Sequence, residues 1–536
     1  MNDAIRTETA PERLNFAQHL IDLNVGRADK HAYLDDLGAL SYGELAVGIR
    51  RFAAALGQLG LRREERVLLC AHDSTDWPIA FLGCLYAGVV PVAVNTLLGP
   101  ADYAYMIEHA RTRAAIVSHA LLATIESAIA QSGVRPELLI VSRAPADAAL
   151  PAGARHFADV VSGAVLTDLH APEPTGRDDI AFWLYSSGST GKPKGTVHTH
   201  GNLFATAATY GQHVLGLTES DVTFSAAKLF FAYGLGNALT FPLSVGATVI
   251  LMAERPTPDA VFKRLVEGQP TVFFGVPTLY AGMLASPALP PRDAVRLRRC
   301  ASAGEALPRE IGERFDAHFD CPILDGIGST EMLHIFLSNA ADALRYGTSG
   351  RPVPGYELQL LDDSGAPVGT DEVGDLYVKG DSSALMYWGN REKSRATFLG
   401  GWTKTGDKYV RDAQGWYTYA GRSDDMLKVS GQYVSPFEVE SCLMQHEMVL
   451  EAALIGISDD DGLTKSKAFV VLKHGIEPSD TLAVEIKRFV KERLAPHKYP
   501  RRIDFILELP KTPTGKIQRF KLRDQERAAV RPPRPA

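Results

Sequence analysis

The stretch AFWLYSSGSTGKPKGTVHTH, residues 181–200, sets an apolar run, Ala181 to Tyr185, directly before a decapeptide of glycines, hydroxyls and lysines. A second β-branched run follows it. The pattern predicts strand, flexible cradle, strand. Glycines let successive backbone N–H groups turn inward, Ser and Thr add donors, and Lys192 and Lys194 bring positive charge, a combination suited to a polyphosphate. The usual phosphate fingerprints fail. G-x-x-x-x-G-K-[ST] needs a hydroxyl after Gly191-Lys192 and meets Pro193. The dinucleotide pattern G-x-G-x-x-G breaks at Leu239 after Gly234 and Gly236, and at Glu331 after Gly326 and Gly328. No G-x-S-x-G nucleophile elbow occurs. A surface linker could share this composition, but the flanking strands argue against one.

Outward from the loop, short β-branched runs alternate with helical stretches. RVLLC, DWPIAFLGCLYAGVV and PVAVN predict strand, helix and strand, the beat of parallel strands joined by crossover helices. VTFSAA, ATVILM, TVFFGV and RLRRCASAG repeat it as strands, with PDAVFKRLVEG and PTLYAGMLA as helices. After Tyr346 the texture changes to short strands with Asp/Gly turns (YELQLLDDSG, GDLYVKG, WYTYAGR), which suggest a small β-barrel-like unit. Beyond GRSDD, SPFEVESCLMQHEMV and LAVEIKRFVKERL read as helices, and AALIGI, KAFVVLK and RIDFILELP as strands. The expected fold class is therefore α/β: a large N-terminal domain, residues 1–423, of two α/β subdomains plus the barrel-like unit, and a small mobile α+β domain, residues 424–536. The basic, proline-rich tail from Gln525 is expected to fray.

Composition narrows the function. At 536 residues the chain is long enough for three or four folding units at roughly 150 residues each, and 46% hydrophobic with 22% charged residues is ordinary for a globular protein. Lys plus Arg number 56 against 63 Asp plus Glu, a formal net charge of −7. This excludes charge-driven binding to nucleic acid, so any phosphate must be held locally. Five cysteines (Cys70, Cys84, Cys300, Cys321, Cys442) show no close pair, hence neither a disulfide framework nor a zinc spacing. The first residues lack the apolar stretch of a secretory signal. The longest apolar run, Ile79 to Val90, falls short of the about 20 residues a bilayer needs and reads as a buried helix. The expectation is a cytoplasmic enzyme with no membrane or nucleic-acid partner; a homodimer is compatible with the sequence.

The decapeptide SSGSTGKPKG resembles the phosphate loop of the adenylate-forming superfamily of acyl-CoA ligases, luciferases and peptide-synthetase adenylation domains. The resemblance continues in the superfamily's order through Ser302–Glu305, Asp325–Glu331, Gly374–Leu376, Thr405–Asp407, Gly421–Gly431 and Pro510–Lys516. Any one of these is weak; six in order are highly specific. The resemblance implies that a carboxylate attacks the α-phosphorus of ATP to give an acyl adenylate and pyrophosphate, and that a thiol then displaces AMP. It places ATP on Ser187, Gly188, Ser189, Thr190, Gly191, Lys192 and Lys194, with Glu305 and Asp325 at the adenine, Thr330 beside them, Asp407 on the ribose and Arg422 near the nucleotide. It puts Mg²⁺ on Glu331 and makes Lys516 the catalytic bridge between substrate carboxylate and α-phosphate. Asp424 falls at the hinge about which the small domain rotates between half-reactions, and Lys428, Ser430 and Gly431 fall along the path of the CoA thiol.

The bland alternatives stay open for single residues: an exposed turn lysine for Lys516, a turn aspartate for Asp407, a helix-start glutamate for Glu331, an ordinary interdomain turn for Asp424. His198 and His200 form H-x-H, but no third ligand lies at a persuasive spacing, and a strand-end pair is the better reading.

For the acid, relatives that activate amino acids carry an aspartate in the segment that here reads Lys228 to Asn237. No carboxylate is present, and an unpaired buried ammonium is costly. Gly326 and Gly328 leave space where acetate-activating relatives place a tryptophan. Phe231 and Tyr233 are expected to wall a flat pocket in which Ala232 and Gly328 leave room for a ring. KLFFAYGLGNALTFP with ERPTPDAVFKRL resembles bacterial benzoate-CoA ligases, which implies benzoate, ATP and CoA as substrates, with His334 and Ile335 beside the acid; His334 could equally be a plain helix histidine. The alternatives are an aryl acid adenylation enzyme that loads a carrier protein, a non-catalytic nucleotide-binding protein, and an amidase-type hydrolase that would not need ATP.

Overall fold

A computed structural model describes residues 8–165, 171–186, 192–423, 425–429, 432–458, 464–511 and 517–530. The chain divides into two compact units, Met1–Leu358 with Val378–Thr405, and Gln359–Tyr377 with Gly406–Ala536.

The first unit carries two large sheets. One has eight strands in the order Met386–Tyr387, Lys194–Thr199, Ile180–Ser186, Val90–Ala93, Arg66–Cys70, Ala114–Ser118, Leu138–Ser142, Arg155–His156. Its middle is parallel: Arg66–Cys70 pairs in parallel with both Val90–Ala93 and Ala114–Ser118. Strands covered by helices on both faces are buried throughout, which is why RVLLC and PVAVN read as continuous apolar runs rather than alternating ones. The crossover helix Asp76–Tyr86 is buried from Trp77 to Tyr86. It begins before Pro78 because a first-turn proline lacks only an N–H that would have no helical partner. The far end of the apolar run, Val90, starts the next strand.

The second sheet has nine strands, in the order Arg351–Pro352, Ile335–Ser338, Ile323–Gly328, Arg299–Ser302, Val272–Gly275, Val222–Ser225, Thr248–Ile250, His31–Asp35, Gly38–Ser41. Its edge hairpin comes from the first 60 residues, for which the sequence suggested no strands. Adjacent parallel strands also bring Cys300 and Cys321 together, their sulfurs 3.7 Å apart as free thiols. A spacing of 21 residues in sequence gives no hint of this.

From Glu357 to Arg422 the chain supplies further strands, where the sequence suggested a small β-barrel-like unit. Within the second unit, residues 407–411 and 417–422 form an antiparallel hairpin that sets Asp407 opposite Arg422. The rest of this unit is α+β. Val449–Ser458 and Thr464–Leu472 pair antiparallel, Arg502–Phe505 adds in parallel, and helices Pro436–Met444 and Asp480–Lys491 pack Val439, Leu443, Ile486 and Val490 onto Leu454, Ala468 and Val470. Ser435 and Ser479 cap these helices through Glu438 N and Leu482 N.

The tail differs from expectation. A helix runs from Arg519 to Val530, past Gln525, because the prolines begin only at Pro532 and Glu526 is held by the Lys467 ammonium at 2.6 Å.

Candidate active site

The phosphate-loop segment is a hairpin. Ile180–Ser186 and Lys194–Thr199 pair antiparallel, closing at Ser186 opposite Lys194. Ser187, Gly188, Ser189, Thr190 and Gly191 lie outside the described residues. At the exit, the Lys192 ammonium stands 5.2 Å from the Tyr105 ring centroid, and Tyr105 Oη donates to Pro193 O at 3.1 Å. Lys194 Nζ reaches Glu331 Oε1 at 3.6 Å and donates to Tyr387 Oη at 3.1 Å. Thr199 ends the return strand by capping the next helix, with reciprocal bonds to Asn202.

His198 and His200 serve packing. His198 is buried against Phe182, with its Nε2 2.8 Å from Thr330 O and its Nδ1 3.0 Å from Asn202 Oδ1. His200 Nδ1 accepts from Phe16 N. Burial pushes both rings down to about 4, so they are neutral. Among the described residues, no three His, Cys, Asp or Glu side chains cluster as a metal site.

The strands Arg299–Ser302 and Ile323–Gly328 run parallel, and Glu305 and the Asp325 to His334 segment lie at or just beyond their carboxyl ends, where open α/β sheets bind ligands. Asp325 is buried, and its Oδ2 accepts from Leu307 N at 3.3 Å. Desolvation pushes its carboxyl up to about 8, opposed only in part by that bond. Glu331 behaves oppositely. Burial would raise it, but the Lys194 ammonium and the hydroxyls of Tyr387 and Ser186 hold it below the usual carboxylate range. It is therefore a carboxylate fit for a hard divalent cation.

Three residues beyond it, His334 sits on a bend just before the strand Ile335–Ser338, not on a helix. Its ring is packed against Phe241 (4.5 Å, edge-on), Tyr210 (5.1 Å) and Tyr233 (5.5 Å). Nε2 lies 3.2 Å from both Tyr233 O and Asn237 Oδ1, so it carries the proton; Nδ1 is buried with no hydrogen-bond partner among the described residues. Burial drives the ring down to about 3. Phe231 and Ala232 are half-buried against the main core, and Phe231 packs on Phe230 at 4.5 Å. Ile335 is buried and pairs with Gly328. The glycine at 328 answers a backbone demand: a Cβ there would stand 2.4 Å from His334 O.

A carboxylate does approach the Lys228 to Asn237 segment, from elsewhere in the chain. Both oxygens of buried Asp73 accept from Leu229 N, at 3.2 and 3.4 Å, while Lys228 donates to Met252 O and Glu254 O. Desolvation raises Asp73 to about 6 against the pull of Lys228.

In the second unit, Asp407 is buried and its Oδ1 lies 3.1 Å from the Arg422 guanidinium. Gly406 has φ 78°, and a Cβ there would meet Arg422 Nη2 at 2.9 Å. Lys428 lies on the strand Leu427–Val429 opposite Tyr433. Asp424, Ser430, Gly431 and Lys516 lie outside the described residues. Sequence reasoning named Ser186 and Asn237 only as members of the phosphate decapeptide and of the acid-pocket segment, and it missed Tyr387 and Asp73. Each reaches the site by long-range pairing, and only its place in a strand or helix run was visible in the sequence.

A hairpin that closes at Ser186 and Lys194, a carboxylate held ionised beside it and an aromatic cluster around His334 fit an enzyme that activates acids with ATP. The chain belongs to the AMP-binding enzyme family: the family model matches residues 23–388, and the model for the AMP-binding enzyme C-terminal domain matches residues 438–516. It is 54% identical over 520 residues to a benzoate–CoA ligase of Thauera aromatica, covering 96% of each chain. Among solved structures, a benzoate CoA ligase from Burkholderia xenovorans LB400 superposes with a TM-score of 0.88 at 62% identity, over 95% of this chain and 100% of that one. The anthranilate CoA ligase AuaEII in complex with anthranoyl-AMP superposes with a TM-score of 0.91 at 41% identity, over 97% and 98%.

Proposed function

We propose that this chain is an ATP-dependent aryl acid–CoA ligase with benzoate as its preferred acid: benzoate, ATP and CoA give benzoyl-CoA, AMP and pyrophosphate through benzoyl adenylate. The observation that carries the reading is the packing of buried His334 among Tyr210, Tyr233 and Phe241 in a chain that resembles benzoate ligases along nearly its whole length. In the first half-reaction a carboxylate oxygen of the acid bonds to the α-phosphorus and pyrophosphate leaves. In the second, the CoA sulfur bonds to the carbonyl carbon, AMP leaves, and the thiol proton passes to solvent. Two anions must meet in the first step, so catalysis is chiefly positioning and charge stabilisation.

The loop 187–194 would hold the phosphates, Glu305, Asp325 and Thr330 the base, and Asp407 with Arg422 the ribose side. Lys516 would bridge carboxylate and α-phosphate. Glu331, ionised and held by one oxygen, fits Mg²⁺, which when bound would neutralise phosphate charge. Rotation about Asp424 would withdraw Lys516 and bring Lys428, Ser430 and Gly431 to the thiol. Reduced, buried cysteines and the use of ATP and CoA support a cytoplasmic setting. No helix among the described residues is long and apolar enough to cross a membrane.

Pyrophosphate exchange across a panel of aryl and alkyl acids, with and without CoA, tests the reading. Benzoate should drive the fastest exchange and CoA should convert it to thioester. Faster turnover of long-chain fatty acids would overturn the substrate, and transfer to a carrier protein but not to CoA would overturn the acceptor.

A further inference from the structure

Among the described residues three side chains contact the Glu331 carboxylate, beside its own backbone N–H, and all three side chains meet the same oxygen. Ser186 Oγ donates to Oε1 at 3.1 Å, Tyr387 Oη donates at 2.7 Å, and Lys194 Nζ stands at 3.6 Å. None falls on Oε2. The Tyr387 hydroxyl also accepts from Lys194 Nζ at 3.1 Å, and that ammonium lies 4.2 Å from the centroid of its ring. A phenol has one proton and spare lone pairs. Here the proton goes to the carboxylate and a lone pair takes the ammonium, so the hydroxyl is polarised from cation to anion.

Tyr387 is itself held on every side. Its two-residue strand pairs with the return strand of the phosphate loop, Met386 opposite Val197 and Tyr387 opposite Thr196. Leu385 N donates to Val197 O, Trp388 N to Gly195 O, and Tyr387 N to Ser394 Oγ at 3.0 Å. The ring packs on Phe398 at 5.3 Å. Ala384 N donates to Glu331 O at 2.8 Å, which ties the same segment to the backbone of the glutamate.

We infer that Tyr387 is a positioning residue of the metal–nucleotide site: its hydroxyl pins Glu331 by Oε1, so that Oε2 is presented to the divalent cation accompanying a nucleoside triphosphate, and its ring keeps the Lys194 ammonium at hand for phosphate oxygens. The inference rests on the assignment of Glu331 to that cation.

Tyr387→Phe keeps the ring under Lys194 and removes only the hydroxyl. The full-length protein, without acid, is titrated calorimetrically with MgATP and with ATP in chelator, and pyrophosphate exchange is measured with ATP, Mg²⁺ and benzoate varied in turn. Loss of a hydrogen bond to a charged group should weaken MgATP binding about tenfold. Metal-free ATP should bind within about twofold of wild type, since the ring contact survives. Half-saturating Mg²⁺ should rise while the KM for benzoate stays put. Glu331→Gln separates the two claims. If it binds MgATP as tightly as wild type, the assignment of Glu331 falls. If it is weakened while Tyr387→Phe binds MgATP like wild type, the role given to Tyr387 falls alone. Equal weakening of MgATP and metal-free ATP, or an equal rise in benzoate KM, would mark a general disturbance and also overturn it.

Discussion

His334→Leu exchanges a buried imidazole for a neutral side chain of similar bulk. In the native protein Nε2–H serves two oxygens, Tyr233 O and Asn237 Oδ1, each at 3.2 Å. Leaving buried acceptors without their donor costs about 1–3 kcal/mol, so the variant should be less stable by about 2 kcal/mol at pH 7.5. The pH dependence runs the other way. Above the ordinary histidine value of 6.5 the ring is neutral folded or unfolded, and pH changes nothing. Below 6.5 the unfolded chain takes a proton that the folded ring, pushed down to about 3 by burial, refuses. Stability is therefore lost as pH falls, by about 1.4 kcal/mol per pH unit for this one site. By pH 5 the wild type has lost about 2 kcal/mol that the leucine variant has not, so the two stability curves should meet near pH 5. His198 and His200 push in the same direction, while Asp325 and Asp73, protonated in the fold at pH values where the unfolded chain is ionised, push oppositely. All four are present in both proteins and cancel in the difference. Urea titrations followed by tryptophan fluorescence from pH 4.5 to 7.5 measure it. Parallel curves, offset but never converging, would mean that the folded ring titrates normally and would refute the neutral, buried imidazole.

Two further substitutions probe the site from its backbone and from its proposed chemistry. Gly328→Ala would place a Cβ 2.4 Å from His334 O and 2.6 Å from its carbonyl carbon, atoms that cannot move without parting the Gly328–Ile335 pairing. A loss of about 1–3 kcal/mol and a higher KM for the acid are expected from thermal melts and kinetics; an unchanged melt would show that the pairing adapts. Lys516→Ala should abolish acid-dependent pyrophosphate exchange but spare most thioester formation from supplied benzoyl adenylate and CoA, and undiminished exchange would remove Lys516 from the mechanism.

The periodicity of RVLLC, PVAVN, TVFFGV and their intervening helices was enough to predict parallel sheets, because a strand buried on both faces must be apolar throughout and its crossover helix must begin and end at turn residues. The phosphate hairpin was legible because its two strands are close in sequence, separated only by Ser187 to Pro193, a run of glycine and hydroxyl residues that ends in Lys192 and Pro193. What stayed hidden depends on contacts between distant segments. Tyr387 lies 56 residues beyond Glu331 and reaches it through a two-residue strand with no pattern of its own. Asp73 reaches Leu229 across 156 residues. Gly328 looked like a space left for substrate because a missing side chain and a close backbone neighbour look alike in sequence. The alternative reading of His334 as a plain helix histidine falls, because the chain makes a bend there with Leu333 at φ 62°.

The placement of the two loop lysines bears on how a chain of net charge −7 can gather a triphosphate. Lys192 and Lys194 each lie against a tyrosine ring, at 5.2 and 4.2 Å from the centroid. An ammonium on an aromatic face gains only about 0.5–1 kcal/mol where water still reaches it, whereas breaking a buried ion pair costs about 3–5 kcal/mol. Lys194 does face a carboxylate, but at 3.6 Å, well outside the about 2.7–2.9 Å of a charge-assisted hydrogen bond. The ring contacts therefore help fix the two lysine side chains at the loop exit, with part of their rotamer freedom already given up. A phosphate oxygen that offers a short charge-assisted bond outcompetes a ring face. Binding the polyanion then requires no basic surface, because the positive charge is gathered at the exit of one hairpin loop.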